Sequence, residues 1–525
     1  MVCNIRDLRW VVATAALALA AACISVSAAA APPPSTSPPT PEPVLALVLQ
    51  DQAPLRGAPH DTSAAVAQLW RGEVLELRGE RLDQLQVWDH RRERGGFVRS
   101  SQVMRIGTRA DDAPELLAQL RLVQGMPGAE ALGIGLAAAY LQAAPASQLA
   151  GPAGGEALLA LGRLAERLAD RASAGAAASK GAETALSAQL DVAARYGLRF
   201  TSHERDGRLQ VCYEGDAFRR VLSMAGAAAD VDQAERRATA ALALTRFDCI
   251  DPQSHPGQRE RTDTWRAEVL EHIDPRTLRP AWKNRIAMRR AAVFGSLAFA
   301  RARRSDELAA QAAERAIVEL QSVAAGELGD DDQAAWHDAV IRANAARWAA
   351  QLAAKPAVPA STSGAGQPSI RTLPGADGET CVVLVDARHP VDSPLARRCS
   401  WGIVWTASAT LNREANALAL AVQPLDGWRE LWLFRRTADG WTVGVLPPAS
   451  ATPGTGYAEF AGWVPGGQQV LVARESQAEG RHRHSFELVR LDTLATERQA
   501  GDASLLGAFQ RWQDPAWKRD TLSLR

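Results

Sequence analysis

Val44-Leu45-Ala46-Leu47-Val48, Gln68-Leu69-Trp70-Arg71-Gly72-Glu73-Val74-Leu75-Glu76-Leu77, Leu85-Gln86-Val87-Trp88-Asp89 and Gly96-Phe97-Val98-Arg99-Ser100-Ser101 decide the reading of this chain. Apolar and polar residues alternate in short runs, with turn-forming residues between them. That pattern predicts short β-strands joined by tight turns. The second run breaks at Gly72 into a strand pair, and Pro54-Leu55-Arg56-Gly57-Ala58-Pro59 reads as turn-rich. Five strand candidates in about sixty residues predict a small β-barrel over 44–107.

The order of residues in this stretch resembles the bacterial SH3-like (SH3b) family. There a Leu/Val-Arg-x-x-Pro segment leads through a Gly-containing hairpin to a closing Gly-aromatic-Val-x-x-Ser strand. The matching pieces are Leu55-Arg56 with Pro59, Leu69 with Gly72, and Gly96-Phe97-Val98 with Ser100-Ser101. The resemblance covers roughly an eighth of the chain. It implies a module that binds peptidoglycan or a peptide in the cell envelope. The closing aromatic is usually Trp in that family; Phe97 lacks the indole N–H donor. Ligand contacts are expected from Trp70, Trp88 and Phe97, with His90 at the rim of a groove.

The segments flanking the barrel bear on where it works. Residues 1–31 read as a secretory signal, with Arg6 and Arg9 before an apolar run and small residues at Ser27 to Ala30. Acylation at Cys23 and retention as an uncleaved anchor are the alternatives, and either would put the chain at a membrane. Acylation lacks the Leu expected three residues before the cysteine. Residues 32–43 form a Pro-rich tether. Beyond Cys3 and Cys23 lie Cys212, Cys249, Cys381 and Cys399, an even number that favours disulfides after an export signal. Pairing Cys212 with Cys249 and Cys381 with Cys399 is the simplest connectivity. No C-x-x-C or His partner at ligand spacing recommends a metal instead.

Residues 110–354 read as helical hairpins, with apolar faces such as Leu116, Leu117, Leu120 and Val123, then Leu161, Leu164, Ala165 and Leu168. A β-hairpin is inserted at 198–213 around Asp206-Gly207. The helix from Asp232 carries a capping pair with Glu235. The later helices are loosely similar to tetratricopeptide-type hairpins. Arg285, Arg289, Arg290, Arg301, Arg303 and Arg304 form a basic run, read as a solvated face balanced by Glu307 and Glu314 rather than a stripe for an acidic partner.

Residues 355–378 read as a linker, and 379–525 as a Trp-rich antiparallel β domain holding eight of the fifteen tryptophans. Trp463-Val464-Pro465-Gly466-Gly467 is similar to the strand entry of TolB-type β-propeller blades, which implies a partial propeller-like array. Arg481-His482-Arg483-His484 reads as a hairpin loop, since flanking guanidinium groups oppose a cation.

The fold class expected is therefore multidomain α+β: SH3-like barrel, helical-hairpin domain, then β domain. Basic and acidic residues balance at 59 each, which gives no footprint for nucleic acid. No nucleophile elbow, metal-binding helix motif, phosphate loop or dinucleotide fingerprint occurs, so no catalytic residue or cofactor is assigned. The expected role is an exported envelope-binding or scaffold protein. A wall hydrolase with its active site in the helices, or a structural subunit of an envelope complex, are the alternatives.

Overall fold

The computed structural model describes residues 44–175, 180–224, 230–351, 366–449, 454–478 and 481–520. The expected signal and tether, with Cys3 and Cys23, lie outside them, as does the linker up to 365. The described chain is mixed α+β, with an N-terminal sheet region, a central helical region and C-terminal sheets.

Seven strands form the first sheet: β1 (Val44–Val48), β2 (Ala53–Arg56), β3 (Ala65–Leu69), β4 (Val74–Arg81), β5 (Gln84–Asp89), β6 (Arg94–Arg99) and β7 (Val103–Ile106). Their order is β3-β2-β6-β5-β4-β1-β7, with every pair antiparallel. Two strands exceed the expected five. The segment read as turn-rich places Ala53–Arg56 in β2 between β3 and β6, because Ala53 and Leu55 alternate into the core with Leu75, Val87 and Val98. β7 follows a 3-10 turn and pairs with β1. Guanidinium groups from the β5–β6 turn and the start of β6 cover β3, where Arg94 donates to the Val66 carbonyl at 2.7 Å and Arg92 to that of Gln68 at 3.1 Å. Occupying such carbonyls protects a strand against pairing with another chain.

β1 is buried on both faces. Ala46 and Val48 point into the sheet core, while Leu47 joins Leu116, Ile134, Leu136 and Leu164 in the core of the helices. The helices are α1 (Ala113–Val123), α2 (Glu130–Ala143), α3 (Ala146–Leu149), α4 (Pro152–Ser173) and α5 (Lys180–Arg195), followed by the hairpin β8 (Phe200–Arg205) and β9 (Arg208–Tyr213). Then come α6 (Asp216–Ser223), α7 (Val231–Leu244), α8 (Pro256–Glu271), α9 (Pro280–Ala302), α10 (Leu308–Gln321) and α11 (Asp330–Ala346). The cap of α7 is Asp230, whose carboxylate accepts from the Asp232 N–H, not the expected Asp232–Glu235 pair. The helix begins one residue earlier, so Asp232 already lies in its first turn.

α9 forms the centre of the second helical group, packed by α8, α10 and α11. A Cβ on Gly295 would come within 2.9 Å of the Arg342 backbone, so glycine sets the close approach of α9 to α11. The basic run is solvated as expected only at its end, where Arg303 and Arg304 follow α9 and are exposed; on α9 itself the arginines are half-buried or buried. Arg290 is buried and donates to the Leu270 and Ile273 carbonyls at 2.8 Å each, and Arg289 donates to that of Leu242. The acids paired with this run are Asp332, Glu319 and, through Arg304 just past the helix, Glu260, not Glu307 or Glu314, because neighbouring helices surround α9.

A three-stranded sheet follows: β10 (Ser369–Pro374), β11 (Thr380–Val385) and β12 (Ala396–Ser400). β10 lies within the stretch read as a linker. An eight-stranded sheet comprises β13 (Ile403–Leu411), β14 (Ala417–Leu425), β15 (Trp428–Thr437), β16 (Gly440–Leu446), β17 (Thr455–Val464), β18 (Gln469–Ala478), β19 (Arg481–Arg490) and β20 (Thr496–Ala500). It consists of two antiparallel four-strand meanders, β13–β16 and β17–β20. They join by a short parallel pairing of Trp428-Arg429 with Gly456-Tyr457, where only antiparallel contacts were expected. Arg481 to His484 lie in β19, not in a loop, with Glu475 opposite His484. Two short helices, α12 (Gly507–Trp512) and α13 (Pro515–Asp520), pack Phe509 and Trp517 onto Phe486.

Three largely buried carboxylates fasten these parts together. Glu73, after β3, receives Arg92 from the sheet at 3.0 Å and Arg195 from α5 at 3.1 Å. Asp426, at the β14–β15 turn, receives Arg259 of α8 at 3.0 Å, Ser296 of α9 at 3.0 Å and Arg342 of α11 at 3.3 Å. Glu459 of β17 pairs with Arg429 of β15 and, at 3.0 Å, with Arg347 just past α11. Burial pushes the Glu459 carboxyl up, but the two guanidinium groups outweigh it and hold its pKa below the usual 4.5. Its stabilising effect is therefore complete above pH 4.5 and is lost as pH falls through the folded-state value. Glu459→Gln should destabilise the protein by about 3–5 kcal/mol at pH 7, since it leaves two buried cations uncompensated. It should also make the acid limb of the stability curve shallower. Urea unfolding from pH 7 to 3 measures both, and an unchanged midpoint at pH 7 contradicts the assignment.

Candidate functional site

The expected ligand residues can be placed by strand register. Trp88 lies directly opposite Glu76 of β4 and Gly95 of β6, and Phe97 lies opposite Gln86. Opposed residues share a face, so Trp88 and Phe97 are diagonal neighbours on the outer face of the sheet. Both are half-buried. The indole spans its strand: the Arg78 guanidinium sits 4.4 Å from the ring centroid, and a Cβ on Gly95 would come within 3.3 Å of the ring. Exposed His90 reaches the same place, with Nε2 2.5 Å from Glu76 Oε2. The Arg78 side chain, and after it His90, holds the Glu76 carboxyl below its ordinary pKa.

Trp88, His90 and Phe97 are thus brought together, along with Glu76 and Arg78, which the sequence reading did not single out. Their charge alternation within β4 gave no signal until register was known. Trp70 stands apart from this group. It is half-buried in the β3–β4 connection, whose next residues face the helices. Arg71 donates to the Gly128 carbonyl at 2.6 Å, and the Tyr196 hydroxyl donates to the Gly72 carbonyl at 2.7 Å. Gly72 has φ +83°, and a Cβ there would come within 2.3 Å of the Ala131 carbonyl oxygen.

The outer face is an aromatic pair edged by an acid, a guanidinium and an imidazole. Arg78 already covers the indole, so a flat ligand stacking there must displace it or bind beside it. Such a surface is suited to recognition.

A second feature is a cleft of about 230 Å³ in the helical region, walled by Cys212, Cys249, Tyr213, Phe218 and Trp265. Its two carboxylates are both engaged. Glu166 accepts from Arg246 at 2.8 Å, and Glu214 from Arg199 at 2.7 Å. One oxygen of each carboxylate is thus held by a guanidinium donor.

The cysteines pair as expected. Cys212 of β9 joins Cys249 in the α7–α8 connection, with Cα atoms 5.7 Å apart. Cys381 joins Cys399 directly across β11 and β12, with Cα atoms 3.9 Å apart. Glu379 lies beside the second pair, the only grouping of potential metal ligands among the described residues, but both sulfurs are committed to the bond. Two disulfides fit an oxidising, extracellular or periplasmic compartment. No described helix is long and apolar enough to cross a membrane.

Comparison with known proteins finds no matching family, no matching curated protein and no matching solved structure.

The first disulfide closes a span of 37 residues holding α6 and α7. Replacing Cys212 and Cys249 by Ser should cost about 3–4 kcal/mol on the loop-entropy model. Thermal unfolding of this variant beside the wild type, both without reductant, measures it, and equal stability contradicts the estimate.

Proposed function

We propose that this is an exported cell-envelope protein with a binding or scaffold role, in which the N-terminal sheet is an SH3b-like module that engages peptidoglycan or a peptide. The observation that carries this reading is the outer face of β4–β6. There Trp88 and Phe97 stand side by side among polar groups, while the opposite side of the module is committed to the helices. Small-ligand and peptide sites combine aromatic surface with a few placed polar groups in this way. The helical region and the two blade-sized meanders of a propeller-like C-terminal array supply a rigid body that holds this face outward. The oxidising environment implied by two disulfides fits the same compartment.

Purified protein carrying the native disulfides is incubated with isolated sacculi and pelleted. Retention is expected, and Trp88→Ala should weaken it by roughly tenfold or more, as removal of an aromatic anchor does. Absence of retention by the full-length protein rejects peptidoglycan as the ligand. Full retention by Trp88→Ala places binding elsewhere on the molecule.

A further inference from the structure

His337 of α11 and His482 of β19 lie face to face, with ring centroids 3.6 Å apart and planes within 5°. The pair closes a chain of contacts between α11 and the C-terminal sheet. His482 Nε2 is 2.8 Å from Glu475 Oε1 on β18. Glu475 Oε2 accepts from the Tyr457 hydroxyl of β17 at 2.6 Å, and the Asn344 amide of α11 donates to that hydroxyl at 3.3 Å. Two turns of α11, from His337 to Asn344, are therefore clipped to three strands. Ile341 and Ala345 fill the space between, against Tyr457, Leu471 and Phe486.

We infer that the stacked imidazoles are an acid-sensitive latch: a proton taken up at His337 parts α11 from β19 and loosens the helical region from the C-terminal sheet.

The charges facing the pair give the direction. The Glu475 carboxylate is engaged by His482 and by the Tyr457 hydroxyl. A proton on His337 meets no carboxylate within hydrogen-bonding reach among the described residues. The nearest acid on α11, Asp338, is turned to Arg342 at 2.9 Å. On β19, the His484 ring lies 5.6 Å from His482 and adds a third imidazole on the same side. Arg481 and Arg483 alternate to the opposite face of the strand. Burial first, then His482, lower the His337 pKa from 6.5; His484 acts the same way, and Glu475 only partly opposes them. A histidine with a depressed folded-state pKa is neutral in the closed form and takes up a proton on opening. The latch therefore holds fully above pH 6.5 and weakens as pH falls. That window opens at pH 6.5, whereas the Glu459 effect begins only below pH 4.5.

Hydrogen–deuterium exchange of the whole disulfide-bonded protein tests this between pH 7.5 and 5, after correction for intrinsic exchange rates. Amides of α11 and β19 should open more readily by up to about tenfold per pH unit, the slope for one proton taken up. Amides of β14 and β15 should not follow. His337→Phe keeps a ring for stacking and removes the titration, so it should abolish the pH dependence at α11. Should that variant not fold, His482→Asn is measured in its place. Equal protection of α11 at both ends of the range, or a variant with the pH dependence of the wild type, overturns the proposal.

Discussion

A buried carboxylate held between guanidinium groups from separate elements is the contact on which this architecture depends. Glu73, Asp426 and Glu459 each sit at a place where two parts of the chain meet; at Glu73 and Glu459 the cations come from both sides, and at Asp426 both come from the helices to a carboxylate of the sheet. One isolated carboxylate in such a position would be costly to desolvate. Shared between two planar forks, it becomes a directional fastener that tolerates little displacement. Arginine suits this use because its charge is permanent and its five donors lie in one plane. Only four lysines occur in the chain.

The second joint shows how far such a contact reaches. Asp426 gathers Arg259 and Arg342, and both guanidinium groups also lie over the ring of Phe247, at 5.4 and 3.7 Å from its centroid. Arg205 approaches the same ring at 4.9 Å and donates to the Phe247 carbonyl at 3.2 Å. Phe247 lies two residues before Cys249, so the disulfide, the α7–α8 connection and the β14–β15 turn are mechanically linked. The aromatic face offsets part of the cost of bringing cations together away from water.

Local pattern made much of the fold legible. Alternation with glycine breaks marked the strands from Val44 to Val98, and Asp206-Gly207 marked the inserted hairpin. Periodicity located α1 and α4, and the even cysteine count led to both disulfides. What escaped was whatever depends on neighbours. α2 is buried on nearly every side, with Glu130, Ala131, Leu132, Gly133, Ile134, Gly135 and Leu136 all hidden, so it has no polar face to betray a helical period. The α9 arginines looked solvated because their counter-charges lie on other helices. β2 looked like a turn because Pro54 lies within it and Gly57 follows it, yet pairing on both sides overrides that preference. Of the candidate ligand residues, Trp88 and Phe97 were recognisable as aromatics, but Glu76 and Arg78 acquired meaning only through register. His482 was noticed beside His484, whereas its actual partner, His337, lies about 145 residues away in sequence.

The two-sided burial of β1 has an implication for how the molecule can be divided. Leu45 and Leu47 on β1, with Met104 and Ile106 on β7, lie against the helices rather than against their own sheet. A fragment cut after Gly107 would turn that greasy seam out to water and invite self-association. The unit that folds is therefore larger than the unit that resembles a module, and transplanting the small sheet to another protein would require repainting its inner wall with polar side chains.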